Sequence, residues 1–200
     1  MTVSDLAAAA GLGLSLGVVT GMPLGVVNVA IVDAATHGRT RFAIGIGIGG
    51  ALADTVHSAI AFASVGHVLT RYPDATRALS IVAAIVVGTY AAIAWRMRSR
   101  PAPTVPRRYG IVTGLLLTLP NPAPLAAWIA VAGAVWPTIP RAAAFVVAAG
   151  VGIGSALWFT ALARFIARLP REHRVTRVLT NVALVLLAAL AVVGLVRALV

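Results

Sequence analysis

A chain of 200 residues that is 60% hydrophobic and only 10% charged carries more apolar surface than one core of that size can bury, which argues against a soluble domain and for lipid as the solvent. Its formal net charge of +11 rests on sixteen basic residues, all arginine. Most sit in short segments between apolar runs and not along one wet face with aromatic partners, which argues against nucleic-acid binding. The absence of cysteine excludes disulfides, thiolate metal sites and thiol redox chemistry.

The first apolar run extends from about Leu6 to Ala35 and is broken at Gly21-Met22-Pro23-Leu24-Gly25. No basic residue precedes it, so it is expected to be a retained first span, not a signal peptide. His37 to Arg41 forms a basic turn. A second run covers about Phe42 to Leu69, a polar segment Thr70 to Arg77, and a third run about Ala78 to Trp95. Pro101, Pro103 and Pro106, flanked by arginines, make a stiff linker. The fourth run, about Tyr109 to Val135, is broken at Pro120-Asn121-Pro122-Ala123-Pro124. A turn from Trp136 to Arg141 leads to a fifth run, about Ala142 to Ile166. The basic loop Arg168 to Arg177 leads to a sixth, about Val178 to Leu199. Each run reaches or approaches the ~20 residues that cross the hydrocarbon. The expected fold is an all-α integral membrane protein with six transmembrane helices in a single domain, 1–200.

The chain also repeats. Gly45-Ile46-Gly47-Ile48-Gly49-Gly50-Ala51-Leu52 matches Gly150-Val151-Gly152-Ile153-Gly154-Ser155-Ala156-Leu157, Thr55 and Thr160 extend the match, and the two proline breaks recur in the same order. Three helices per half is an odd number, so the halves, 1–98 and 109–200 around the loop 99–108, are expected to be inverted repeats. Twelve arginines fall in the odd-numbered loop regions and four on the other side, which places the odd loops in the cytoplasm and both termini outside. Gly45/Gly49 and Gly150/Gly154 give the small-residue spacing that lets helix backbones approach. That packing is internal, or it serves a homodimer.

The two breaks are the sharpest chemical feature. Proline removes an N–H and displaces the carbonyl one turn back, and irregular backbone survives in a bilayer only inside protein or beside a water-filled cavity. Half-helix ends around Pro23, Gly25, Asn28, Asn121 and Pro122 offer donors and acceptors to a polar solute. The alternative is a pair of structural kinks with the asparagines tying off loose backbone. Asp54 lies about twelve residues into the second run, where a carboxylate costs roughly 2.5–3.5 kcal/mol on insertion scales. It is expected to face the interior as an ion- or proton-coupling group. His57, three residues on, shares its helix face, as a relay partner or as one half of a locking pair. Asp33 either neutralises Arg39 or Arg41 or lines the cytoplasmic entrance. No phosphate loop, nucleophile elbow or metal-ligand spacing is present, so no enzyme activity, metal or cofactor is expected.

These residues resemble the lysine-exporter (LysE/RhtB) family of amino-acid efflux proteins over essentially the whole chain. Pro23-Leu24-Gly25 stands at the family's Pro-Gly-Pro break, Gly38-Arg39-Thr40-Arg41 follows like its Gly-Arg-Arg turn, and Gly49-Gly50 through Asp54 resembles its Gly-rich second helix with an acid. Asn121-Pro122-Ala123 with Trp128 downstream is similar to its Asn-Pro-Lys signature. Gly25 and Ala123 depart from the family's Pro and Lys. The resemblance implies export of an amino acid or similar small metabolite across the inner (cytoplasmic) membrane, without a cofactor and coupled to protons, with Trp128 near the solute. A divalent-cation exporter and a non-transporting membrane protein are the alternatives; the first would want several acids converging where only Asp54 is clearly placed.

Overall fold

The computed structural model describes residues 2–22, 25–63, 106–135 and 143–169, with scattered helical positions between 78 and 96 and between 178 and 196. Pro23, most of the third and sixth expected spans and most of the loop arginines lie outside the described residues. Six helices are continuous there: α1 Val3–Gly21, α2 Val26–Thr36, α3 Thr40–Phe62, α4 Arg107–Thr118, α5 Pro122–Val135 and α6 Ala144–Ala167. Among the described residues there is no strand.

Three of these helices, α1, α3 and α6, are long and apolar enough to cross a membrane. The others are short: α4 has 12 residues and α5 has 14, about 18 and 21 Å at 1.5 Å per residue against a hydrocarbon of ~30 Å. Large apolar side chains stand on the outside, with Phe145 and Phe165 70% and 62% exposed. That is the pattern of a helix whose outer face meets lipid.

Local chemistry sets the helix ends. Thr2 and Asp5 form a reciprocal capping box at the start of α1. The last intrahelical bond of α4 is Leu119 N–H to Leu115 C=O at 2.8 Å, because Pro120 has no N–H to continue the ladder. Pro122 and Pro124 then fall in the first turn of α5, where backbone N–H groups have no intrahelical acceptor anyway, so these prolines start a helix instead of bending one. Gly38, at φ 75°, makes the turn from α2 into α3, a conformation that a Cβ disfavours.

α3 sits at the centre, packed against α2, α4, α5 and α6, while α1 packs along α6. Two seams are built on glycine. Gly13 and Gly17 of α1 face Gly150 and Gly154 of α6, and Gly45 and Gly49 of α3 face Gly110 and Gly114 of α4. In each seam a Cβ added to any of these glycines would strike a backbone carbonyl of the partner helix. The helix axes are therefore as close as backbones allow, and the attraction comes from many small dispersion contacts.

Candidate functional site

Where the chain leaves α1 and re-enters at α2, and where it leaves α4 and re-enters at α5, the helix ends surround a cavity of about 480 Å³. Thr20 and Gly21 end α1 at its wall, and Gly25, Val26, Val27 and Asn28 open α2 there. Leu117 and Thr118 close α4, Asn121 stands in the break, and Pro124, Ala127, Trp128 and Val131 come from α5. α3 contributes Asp54 and α6 contributes Phe159. Asp54 is the one ionisable side chain among the described lining residues.

The carboxylate of Asp54 is held by α6. Ser155, fully buried, donates its hydroxyl to Asp54 Oδ2 at 2.8 Å, and Trp128 lies beside the same carboxyl group. Thr20 and Thr118 each commit their hydroxyl hydrogen to their own helix, to Leu16 C=O at 2.7 Å and to Gly114 C=O at 2.9 Å. Their oxygens keep lone pairs and act only as acceptors. Around Asp54 the cavity is thus rich in acceptors.

Donors come from the backbone at the opposite element. α2 begins at Gly25, which is extended, and no side chain caps the helix. Its first intrahelical bond is Val29 N–H to Gly25 C=O at 3.1 Å, so the N–H groups of Val26 and Val27 precede the ladder at a positive helix end. Both residues line the cavity.

Each break is also tied by a side chain. Asn28 donates Nδ2 to Gly21 C=O at 2.7 Å and accepts from Trp158 Nε1 at 3.2 Å, so it closes the first break while lining the cavity. His57 approaches Leu119 C=O with Nε2 at 3.3 Å. A carbonyl only accepts, so Nε2 carries the proton, and Nδ1 is left buried without a partner among the described residues.

The structure therefore brings Gly25, Asn28, Asn121, Trp128 and Asp54 together at one cavity. Pro122 opens α5, with its side chain outside the described residues, as Pro23 is altogether. Asp54 and His57 do not meet despite their spacing of three. The carboxylate turns to α6 and the imidazole to the break after α4. Asp33 is also away from the cavity, seven residues along α2 from Val26, about 10 Å at the helical rise. It is fully buried and paired with Arg39 Nη2 at 3.1 Å and His37 Nδ1 at 3.3 Å, which locks the α2–α3 turn. The hydrogen bond to Asp33 raises the His37 pKa above its ordinary value, against the opposing effect of burial. Ser155, Thr20, Thr118 and Phe159 were not marked as site residues by the sequence, where nothing separates them from other small or apolar helix residues.

No curated protein and no solved structure matches the chain. The family model for LysE type translocators matches residues 18–198, a stretch that takes in both helix breaks, Asp54 and every other lining residue of the cavity. On that match, the chain belongs to the LysE type translocator family of membrane transporters.

Proposed function

We propose that the protein is a secondary transporter that exports an amino acid or similar small metabolite across the inner (cytoplasmic) membrane in exchange for protons. The observation that carries this reading is the cavity between the two helix breaks, with a single carboxylate among the described residues of its wall. An amino acid presents an ammonium and a carboxylate. Asp54 and the acceptor oxygens of Thr20 and Thr118 suit the first, and the uncapped start of α2 suits the second. Leu117, Val131, Val26 and Phe159 leave an apolar wall for the side chain. One carboxylate balances one ammonium, so the substrate is a neutral amino acid with an apolar side chain, and a dibasic one would bring a second cation to a wall whose described residues hold no second acid. When the substrate leaves, Asp54 takes up from the cavity the proton that is exchanged for it.

The two glycine seams support an inverted repeat. Each joins a helix of one half to a helix of the other: α1 to α6, and α4 to α3. An exchange of this kind is what a pseudo-two-fold relation between the halves produces. With the arginine-rich loops inside, both termini face outward.

Thermal stabilisation of the purified protein tests the substrate. At a hundredfold excess over Kd a ligand adds about 2.7 kcal/mol, so leucine is expected to raise Tm clearly and lysine to raise it less. Stabilisation by a divalent cation with none by any amino acid would overturn the reading in favour of a cation exporter.

A further inference from the structure

Ser155 has one hydroxyl hydrogen and two acceptors within reach. Asp54 Oδ2 is at 2.8 Å and Gly17 C=O at 3.3 Å. Only one can be served at a time, and the shorter distance assigns the hydrogen to the carboxylate in this structure. We propose that Ser155 is a positioning residue that passes the protonation state of Asp54 to the last turn of α1. This inference rests on the reading of Asp54 as the coupling group.

The exchange conserves every atom. A proton arriving from the cavity binds Asp54 Oδ2, and the new O–H donates to Ser155 Oγ. The serine O–H, whose own bond stays intact, rotates to Gly17 C=O. Departure of the proton reverses both bonds.

The consequence falls on α1. Gly17 C=O also serves the N–H one turn later, at Gly21, and Gly21 carries the carbonyl that Asn28 holds at 2.7 Å. Thr20 and Gly21 form the cavity wall. With Asp54 neutral, the end of α1 is fastened to α6 by one more hydrogen bond; with Asp54 charged, that bond is withdrawn. Nothing else fits between the two backbones, because a Cβ on Gly17 would already press on Ser155 N.

Among the described residues no other charge reaches this pair. Among the described residues, the titratable groups on the helices packed against α3 are Asp33 on α2, Arg107, Arg108 and Tyr109 on α4 and Arg164 on α6, with Arg41, at the first turn, and His57 on α3 itself and Asp5 at the far end of α1. Among the described residues the ion pairs are those of Asp33, and His57 is turned to Leu119.

The test is infrared difference spectroscopy of the full chain in lipid across a pH titration, without substrate. The protonated-carboxyl band that Asp54→Asn removes reports Asp54. Ser155→Ala deletes a donor to the carboxylate, so the midpoint of that band is expected to move up by about one pH unit, the tenfold change that one hydrogen bond to a charged group is worth. Ser155→Cys keeps a weaker donor in place and is expected to move it less, which preserves the test if the alanine variant misfolds. In the wild type, hydrogen exchange at the end of α1, corrected for intrinsic rate, slows as Asp54 is protonated, and in Ser155→Ala it does not. A midpoint unmoved in both folded variants would overturn the inference and leave the coupling role of Asp54 intact. An Asp54 band that never titrates would remove both. The predicted shifts in the variants, together with a wild type that moves no amino acid, would sink the transport reading alone.

Discussion

Asp54→Asn is expected to lower pH-gradient-driven efflux of the stabilising amino acid from vesicles by at least about a hundredfold, while the protein stays folded. The size follows from the site. Asp54 is the one ionisable group among the described lining residues, so its loss leaves a substrate ammonium with neutral acceptors only. Breaking a buried ion pair costs about 3–5 kcal/mol, and a hundredfold corresponds to the low end of that range. Folding is preserved for a local reason: asparagine has the same shape, and its carbonyl oxygen can still accept from Ser155, the donor 2.8 Å away. The same substitution removes the proton acceptor, so exchange of labelled substrate in the absence of a gradient is expected to become indifferent to pH. Efflux that retains its rate and its pH dependence would show that Asp54 is only structural.

The second large effect is on stability. Gly154→Ala and Gly49→Ala are each expected to destabilise the protein by about 1–3 kcal/mol, the usual cost of overpacking. Helix propensity alone would favour alanine over glycine by about 1 kcal/mol. The clash prevails because the obstacle is backbone: the Leu14 carbonyl for Gly154 and the Ile111 carbonyl for Gly49, neither of which can swing aside as a side chain would. Gly11 is the control. A Cβ there meets nothing within 4 Å, so Gly11→Ala is expected to leave Tm unchanged or raise it. Because the two seams share no partner residues, the double variant is expected to lose the sum of the two single effects. Equal melting temperatures for Gly11→Ala and Gly154→Ala would mean that the seam is looser than described.

The positions where the helices end were legible because proline and glycine act locally. Pro120 cannot donate, so a break in the segment from Pro120 to Pro124 was legible; the structure narrows it, ending one helix at Thr118 and taking Pro122 and Pro124 into the first turn of the next. Asp54 was legible because an acid in the middle of an apolar run has few places to go. Its partner was not. Ser155 differs from dozens of small helix residues only in which neighbour it meets, and that neighbour is on another helix, 101 residues away. The same holds for Gly110 and Gly114, whose meaning depends on Gly45 and Gly49 lying opposite. The spacing of Asp54 and His57 set them on one side of α3, but a separation of three leaves about 60° between them on the helical wheel. With α6 on one flank and the α4 break on the other, that angle sends them to different partners.

The most direct measurement uses the lack of native thiols. Ala127 lines the cavity and is exposed to it, whereas Ile153 stands on the outer surface, 56% exposed. In Ala127→Cys, the new thiol is expected to react with a membrane-impermeant maleimide, and the amino acid that stabilises the wild type is expected to slow that reaction. The thiol of Ile153→Cys is expected to be indifferent to substrate. If the Ala127→Cys thiol does not react, or reacts at a rate that no amino acid changes, the space between the helix breaks is not where the solute binds.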